Sequence, residues 1–299
     1  MLPADIDEPL LIDAHLRKEW GTWKTGLGLQ MGVMNPPFSL EHNGPAWTPR
    51  YTLSPSVLNS WLWEEGRLVG LEIEWWRTVA SGWRVNLLGG MGFGPDQFGH
   101  LLAVRGWVYS DFLSGINSNL PLPNSDPDVP VFDERDHRPA VYFWLTLRDP
   151  HKLGSLRLGY FDNLGDQSTF GVWHTRLGTV GLTLHPFSKL DIITQYMIGE
   201  ALHDPCPCDV RFQAVYVLLS LHHRGHRLSA RYDWFRTRDL DRPPDYRDRG
   251  DGVTLAYLFE VGLHHRFAVE YIVVDSHHDQ PFNAEPSSDG WQVSYRFRY

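Results

Sequence analysis

The last nine residues of the chain alternate strictly between apolar and polar side chains. The odd positions carry Trp291, Val293, Tyr295, Phe297 and Tyr299, and the even positions carry Gln292, Ser294, Arg296 and Arg298. Successive side chains of a strand point to opposite faces, so this segment predicts a strand with one apolar wall and one wet wall. A strand of this kind is typical of a membrane barrel, whose apolar wall faces lipid and whose polar wall faces a lumen.

No membrane-spanning helix is predicted anywhere in the chain. Such a helix needs about 20 consecutive apolar residues, and apolar windows such as Val215–Leu221 have the length of strands. The 13 Trp, 12 Tyr and 15 Phe residues fit either a soluble all-β core or the two aromatic girdles of a barrel. The net charge of −9 argues against a nucleic-acid partner, because nucleic-acid-binding proteins present a basic surface.

Short and long connections alternate between the predicted strands. Tight turns at His185–Ser188, His222–Gly225 and Gly262–His264 alternate with longer polar stretches such as Asp239–Asp251. Bacterial outer-membrane barrels have short periplasmic turns and long extracellular loops. The pattern predicts an all-β fold, a transmembrane antiparallel up-and-down β-barrel, with residues 1–299 in a single domain. The longest extracellular loops are expected near residues 35–66 and 94–138.

The strand count predicts about 14 strands, within a range of 12–16. About 13 can be recognised, beginning with Leu11–Lys18, whereas single-chain bacterial barrels have an even number. The first residues, Met1–Glu8, also lack the basic start and apolar core of a secretion signal. Either at least one upstream strand is missing, or Leu11–Lys18 is not part of the wall. Together with the absent signal, the count favours an incomplete N-terminus. The segment Leu101–Phe112 is expected to belong to the second long loop and to fold inward.

The polar faces of the strands are the predicted lining of a pore. The candidates are Arg84, Arg148, Arg157, Arg211, Arg227, Arg231, Arg266, Arg296, Arg298, Glu72, Glu74 and Glu270. Asp96, Arg105 and Asp111 are the candidates on the inward-folded loop. An acidic loop against a basic wall would set ion selectivity at a constriction. The alternative is that these charges pair with one another and only keep the lumen wet.

No cofactor is implied by the remaining motifs. Cys206 and Cys208 could form a small strained disulfide, bind a metal with other ligands, or simply decorate a loop. Adjacent histidines such as His222 and His223 point to opposite faces of a strand, which disfavours a shared metal. The linear motifs of serine hydrolases, P-loop proteins and zinc peptidases are absent from the sequence.

The segment Met34–Glu41, just after a predicted strand, resembles the Pro-Phe-Ser/Gly-Leu-Glu segment of phosphate-selective-type porins. The segments Ser54–Trp61, Glu64–Arg67, Leu101–Trp107 and Arg227–Asp233 resemble a related, poorly characterised group of proteobacterial porin-like proteins. The resemblance implies a porin barrel with a loop narrowing the channel, and commonly a homotrimer. The phosphate-selective relatives use a ladder rich in lysine and arginine, whereas lysines are few here and the overall balance is acidic. Arginine would have to supply any anion site.

The leading hypothesis is a bacterial outer-membrane porin without catalytic activity. Small hydrophilic solutes or ions would diffuse through its lumen, and outer-membrane lipid would surround it. One alternative is a barrel that sheaths a partner protein, as in a porin–cytochrome conduit. The other is an outer-membrane hydrolase, which would need a serine, a histidine and an acid brought together on the wall.

Overall fold

A computed structural model describes residues 10–41, 50–62, 66–100, 114–120, 129–203, 209–240, 247–278 and 287–297 of the chain. Its strands are β1 (Ala14–Gly21), β2 (Thr25–Met34), β3 (Leu68–Thr78), β4 (Arg84–Phe93), β5 (Asn119–Leu120), β6 (Val129–Pro130), β7 (Ala140–Arg148), β8 (Gly154–Asp162), β9 (His174–Phe187), β10 (Leu190–Leu202), β11 (Val210–His223), β12 (His226–Asp239), β13 (Arg247–Val261), β14 (His265–His278) and β15 (Ser287–Phe297). Two short helices are present, α1 (Val57–Leu62) and α2 (Phe98–His100). Neither has the length or the apolar composition needed to cross a bilayer.

Thirteen strands form one sheet in which every strand pairs with its neighbours along the chain. The order is β1-β2-β3-β4-β7-β8-β9-β10-β11-β12-β13-β14-β15, and all pairs are antiparallel. β5 and β6 form a separate two-stranded ribbon inside the connection between β4 and β7. Within the described residues, β1 and β15 are the two edges of the large sheet. The up-and-down order agrees with the order predicted from the sequence.

The connections alternate in length, as predicted. Those at one end of the sheet span residues 22–24, 79–83, 149–153, 188–189, 224–225 and 262–264. Those at the other end span residues 35–67, 94–139, 163–173, 203–209, 240–246 and 279–286. The hairpin between β11 and β12 shows how the short end is built. Arg224 and Gly225 both have positive φ (45° and 82°), which is the requirement of a two-residue type I′ turn.

The two faces of the sheet differ in exposure and chemistry. On β11, Val217 and Leu219 are 41% and 47% exposed, whereas the alternate residues Tyr216 and Leu218 are fully buried. Trp291, Val293, Tyr295 and Phe297 on β15 are all exposed, which confirms the orientation predicted for the terminal strand. The outward face of these strands is therefore rich in exposed apolar side chains, which suits a wall that faces lipid.

The core lies on the inward face, where the connection between β2 and β3 packs against the wall. We call its described parts, residues 35–41 and 50–62, the inward segment. The Phe38 ring lies 4.7 Å from the Trp144 ring and 5.7 Å from the Phe161 ring. Val57 and Leu58 of α1 are fully buried in the same cluster. The segment expected to fold inward, Leu101–Phe112, lies outside the described residues.

Candidate functional site

A polar cavity of about 430 Å³ lies between the inward segment and the wall formed by β1–β4, β7 and β8. Its charged lining consists of four arginines and two glutamates: Arg17, Arg84, Arg148, Arg157, Glu72 and Glu74. The other lining residues are Gln30, Asn35, Pro37, Asn86, Leu88, Trp144 and Thr146. Five residues predicted from the sequence as pore-lining therefore meet at one open volume.

Strand register explains why these side chains meet. Arg84 pairs directly with Arg148 between β4 and β7, and Asn86 and Leu88 on the same face pair with Thr146 and Trp144. Thr146 in turn pairs with Arg157 on β8. Inward positions recur every second residue, so each strand delivers a short column of side chains to the cavity. Arg84 and Arg148 also lie beside the short turns at 79–83 and 149–153, which places them at the short-turn end.

The carboxylates of the cavity are already bonded. Glu74 accepts hydrogen bonds from Arg17 and from the Asn86 amide. Glu72 accepts one from the Tyr142 hydroxyl at 3.1 Å. Arg17, which the sequence did not single out, therefore neutralises one of the two negative charges.

The three remaining arginines of the cavity have no carboxylate partner in the part of the chain that the structure describes. Within the described residues, Arg84, Arg148 and Arg157 form no salt bridge. Arg157 donates to the Pro37 carbonyl at 3.2 Å and lies over the Trp144 ring at 5.5 Å. Three guanidinium groups thus lie beside an open polar volume without an ion-pair partner among the described side chains.

A second group of predicted residues is buried against the inward segment instead of lining open volume. The fully buried Arg231 pairs with Asp233 at 2.6 Å and with Glu41 at 3.4 Å. It also donates to the carbonyls of Ser54 and Pro55 at 2.8 and 2.9 Å. We call Arg231, Asp233, Glu41 and Glu270 the segment anchor.

Glu270 completes the segment anchor from β14. Its carboxylate accepts the backbone N–H groups of Leu53 and Ser54 at 2.6 and 2.9 Å. Asp233 accepts the N–H of Val57 at 3.1 Å. Carboxylates that bond the first residues of α1 and the turn before it hold the backbone of the segment in one place.

Arg227 and Arg266 also contact this part of the chain. Arg227 pairs with Asp191 at 3.1 Å and lies over the Tyr51 ring at 4.9 Å. Arg266 donates to the Arg50 carbonyl at 3.2 Å and pairs in register with Arg296 on β15. The sequence predicted that these arginines face water as part of a basic wall. In the structure they contact the inward segment instead.

Arg211 lies on the outward face, which differs from its predicted position in the pore. The inward positions of β11 are the even ones, Phe212 to Leu218, which are buried. The Arg211 side chain is exposed and lies 3.6 Å from Glu200, which also bonds Arg176. The predicted position of Arg211 was wrong. Near the end of a strand, beside a polar loop, the sequence pattern gives little information about which face of the sheet a residue occupies.

The predicted loop candidates have different fates. Asp96 is buried beside Glu134 and Asp136. Burial, and after it the charges of Glu134 and Asp136, raises the pKa of Asp96 to about 6. Arg105, Asp111 and Arg298, together with Cys206 and Cys208, lie outside the described residues.

Comparisons with known proteins find matches only among solved structures. No family model matches this chain, and no curated protein does. The anion-selective porin of Comamonas acidovorans superposes with a TM-score of 0.57 at 13% identity, over 92% of this chain and 77% of the porin. OmpT folded in vitro, an outer membrane protein of Vibrio cholerae, gives 0.52 at 10% identity, over 92% and 79%.

A third match is the outer membrane channel DcaP of Acinetobacter baumannii. It superposes with a TM-score of 0.52 at 9% identity, over 92% of this chain and 74% of DcaP. At these identities the likeness concerns the fold. The predicted fold class, a transmembrane antiparallel up-and-down β-barrel, is confirmed, and the chain has the fold of outer-membrane porins.

Proposed function

We propose that this chain is a channel of the bacterial outer membrane through which small hydrophilic solutes and ions diffuse passively, with anions preferred. The observation that carries the proposal is the polar cavity, where Arg84, Arg148 and Arg157 lie without a salt bridge among the described residues. Rings of charged side chains set ion selectivity in pores, and arginine or lysine favours anions.

The charge balance of the cavity supports the anion preference. Glu74 is neutralised by Arg17, and Glu72 is bonded by a tyrosine hydroxyl. The Glu72 carboxylate keeps its charge, because a hydroxyl is neutral, so three arginine charges stand against one carboxylate charge and the cavity stays net positive. A cleft in which one sign of charge predominates, walled by protein, focuses the field and concentrates counter-ions. The anion-selective porin of Comamonas acidovorans, which has the same fold, is consistent with this assignment.

The outward surface supports a position in the outer membrane. Exposed aromatic residues gather at the short-turn end of the wall: Trp20, Trp23, Trp83, Phe187 and Phe297. Aromatic girdles mark the membrane interfaces of barrels, and short turns lie on the periplasmic side. In this orientation Arg84 and Arg148 of the cavity lie toward the periplasm, and the long connections face outward from the cell.

The inward segment is the proposed constriction element. It fills the interior beside β7–β14 and leaves the volume beside β1–β4, β7 and β8 as the path for solutes. The arginines therefore have two roles. Arg227, Arg231 and Arg266 hold the inward segment, and Arg84, Arg148 and Arg157 meet the passing ions.

The test is a planar-bilayer recording of the folded full-length chain under a potassium chloride gradient. We expect discrete conductance steps and a reversal potential on the anion-selective side. The triple variant R84Q/R148Q/R157Q removes the three unpaired charges, so its reversal potential should shift toward the cation-selective side. The matched control R176Q/R211Q/R249Q removes three exposed arginines from the outward face and should leave the reversal potential unchanged.

Two results would contradict the proposal. If correctly folded protein gave no conductance, the proposal that the chain forms a channel would be wrong. Conductance with equal reversal potentials in the wild type and in R84Q/R148Q/R157Q would show that the cavity arginines do not set the ion selectivity.

The structure gives the two alternatives little support. A sheath needs a lumen shaped for its partner, whereas Phe38, Val57 and Leu58 of this chain occupy the interior themselves. A hydrolase needs a serine beside a histidine–acid pair. Four histidine–acid pairs are present among the described residues: His15–Asp13, His174–Asp162, His185–Asp191 and His222–Asp191. Within those residues, none of the four imidazole rings is hydrogen-bonded to a serine.

The homotrimer implied by the family resemblance stays a prediction. The apolar outward face would then be divided between lipid and neighbouring copies of the chain. Cross-linking of the protein in outer membranes distinguishes a trimer from a monomer.

A further inference from the structure

Three carboxylates meet at the two ends of the long connection between β4 and β7. Asp96 lies three residues after β4, and Glu134 and Asp136 lie shortly before β7. One oxygen from each carboxylate lies within 4.8 Å of the others. The two ends run side by side, because Pro95 and Asp133 form a parallel bridge and Asp133 donates its N–H to the Gly94 carbonyl at 3.2 Å.

Each carboxylate is held in place by backbone N–H groups. Asp96 Oδ2 accepts from Arg135 at 2.6 Å, and Glu134 Oε2 accepts from Gly94 at 2.9 Å. Asp136 accepts from Arg138 at 2.8 Å and from Asp166 at 2.6 Å. The orientation of all three groups is therefore fixed by the loop backbone before any ligand arrives.

Two of the oxygens are buried and have no hydrogen-bond partner among the described residues. They are Asp96 Oδ1, on a side chain that is completely buried, and Glu134 Oε1. A buried carboxylate oxygen without a donor or cation is costly, and buried charges are normally paired or coordinate a metal. This observation is independent of the clustering and points to a missing positive ligand.

The neighbouring arginines do not supply that charge. Arg135 Nε pairs with Asp133 at 2.6 Å, and Arg138 pairs with Asp166 at 2.6 Å. Both guanidinium groups are thus directed to carboxylates outside the cluster, which leaves three negative charges close together.

We propose that Asp96, Glu134 and Asp136 bind a hard divalent cation, Ca²⁺ in the first place. The ligand atoms are all carboxylate oxygens, which suit calcium and magnesium and not the softer metals. Calcium accepts irregular geometry and six to eight oxygens, with water or backbone carbonyls completing the shell, whereas magnesium demands a near-ideal octahedron. The bound ion links the two ends of the connection between β4 and β7. Because Asp136 also accepts the N–H of Asp166, the ion stabilises the position of that loop as well.

The experiment is a calorimetric titration of CaCl₂ into the folded full-length protein in detergent, after chelator treatment. We expect saturable binding near one ion per chain. The variants D96N and E134Q each remove a charge and keep an oxygen for the backbone bond, so calcium affinity should fall roughly tenfold or more. The control D149N removes a carboxylate from a short turn at the opposite end, where Asp149 bonds His151 and Gly154, and should keep the wild-type affinity.

The readout does not depend on conduction, so the site and the channel can fail separately. No saturable binding at roughly 10⁻³ M calcium, the weak end of extracellular sites, would overturn the proposal. Equal affinity in the wild type and in folded E134Q would do the same. Should D96N not fold, E134Q alone decides, with its circular dichroism spectrum as the check on folding.

Discussion

Arg84 and Arg148 lie directly opposite each other in the β4–β7 strand pair, with both side chains at the polar cavity. Like charges at directly opposed positions destabilise a sheet. Arg157 adds a third positive charge on the next strand, since it lies diagonally from Arg148 across the β7–β8 pair. An anion passing between these groups relieves their repulsion, which is the physical basis of the preference proposed above.

Replacing Arg148 by glutamate turns this repulsion into attraction. We expect the anion preference to fall and the free energy of unfolding to rise by about 0.2–1 kcal/mol, the size of a cross-strand charge pair. Reversal potentials and urea unfolding in detergent measure the two effects. Arg148→Lys keeps the charge and serves as the control, and a less stable Arg148→Glu variant would argue against direct repulsion.

Arg231→Met removes the cation of the segment anchor. Asp233 and Glu41 then stay buried without their partner, so we expect a loss of roughly 3–5 kcal/mol in unfolding free energy. The double variant R231M/D233N also removes one of the stranded charges and should recover part of that loss. Chemical denaturation measures both. Equal stability of the single variant and the wild type would show that the pairing is energetically neutral.

Phe38→Ala tests how firmly the inward segment is seated. Phe38 is fully buried between Trp144, Tyr142 and Phe161, so truncation should cost about 3–5 kcal/mol. We also expect larger conductance steps, because the inward segment loses its aromatic contact with β7 and β8. Phe170→Ala is the matched comparison, since Phe170 is 80% exposed and should tolerate the change.

Gly225→Ala tests the turn between β11 and β12. Gly225 has a φ of +82°, and an added Cβ would lie 2.7 Å from the Glu260 carbonyl oxygen. We expect a cost of about 1–2 kcal/mol and a lower yield of folded protein, measured by heat-modifiable gel mobility. Gly290→Ala provides the contrast, because a Cβ there meets nothing within 4 Å. Equal yields for the two variants would remove the special role of the turn.

The inward and outward positions of the wall can be predicted from the sequence, because side chains along each strand alternate between the two faces of the sheet. Alternation places Glu72, Glu74, Arg84, Arg148 and Arg157 on inward positions, and short turns bring neighbouring strands to the same height. Antiparallel neighbours along the chain then need no further information to bring these five residues to one cavity.

The contacts of the inward segment could not be predicted in this way. Glu41 meets Arg231 across 190 residues of sequence, and no local pattern relates them. One signal was present: Arg231 and Asp233 are two residues apart, so opposite charges share one face of a strand. That spacing predicts a paired and buried arginine more readily than one that faces an open lumen.

The long reach of the segment anchor also orders the events of assembly. Glu41 belongs to the connection after β2, yet its partner Arg231 lies on β12. Glu270, which accepts the N–H groups of Leu53 and Ser54 from the same connection, lies on β14. Contacts so distant along the chain form late, because the loop between them must close first. The inward segment can therefore reach its final position only after most strands of the wall have formed. While the sheet is incomplete, Phe38 and α1 lack the strands against which they pack. Their apolar side chains are then exposed to any chaperone that accompanies the chain.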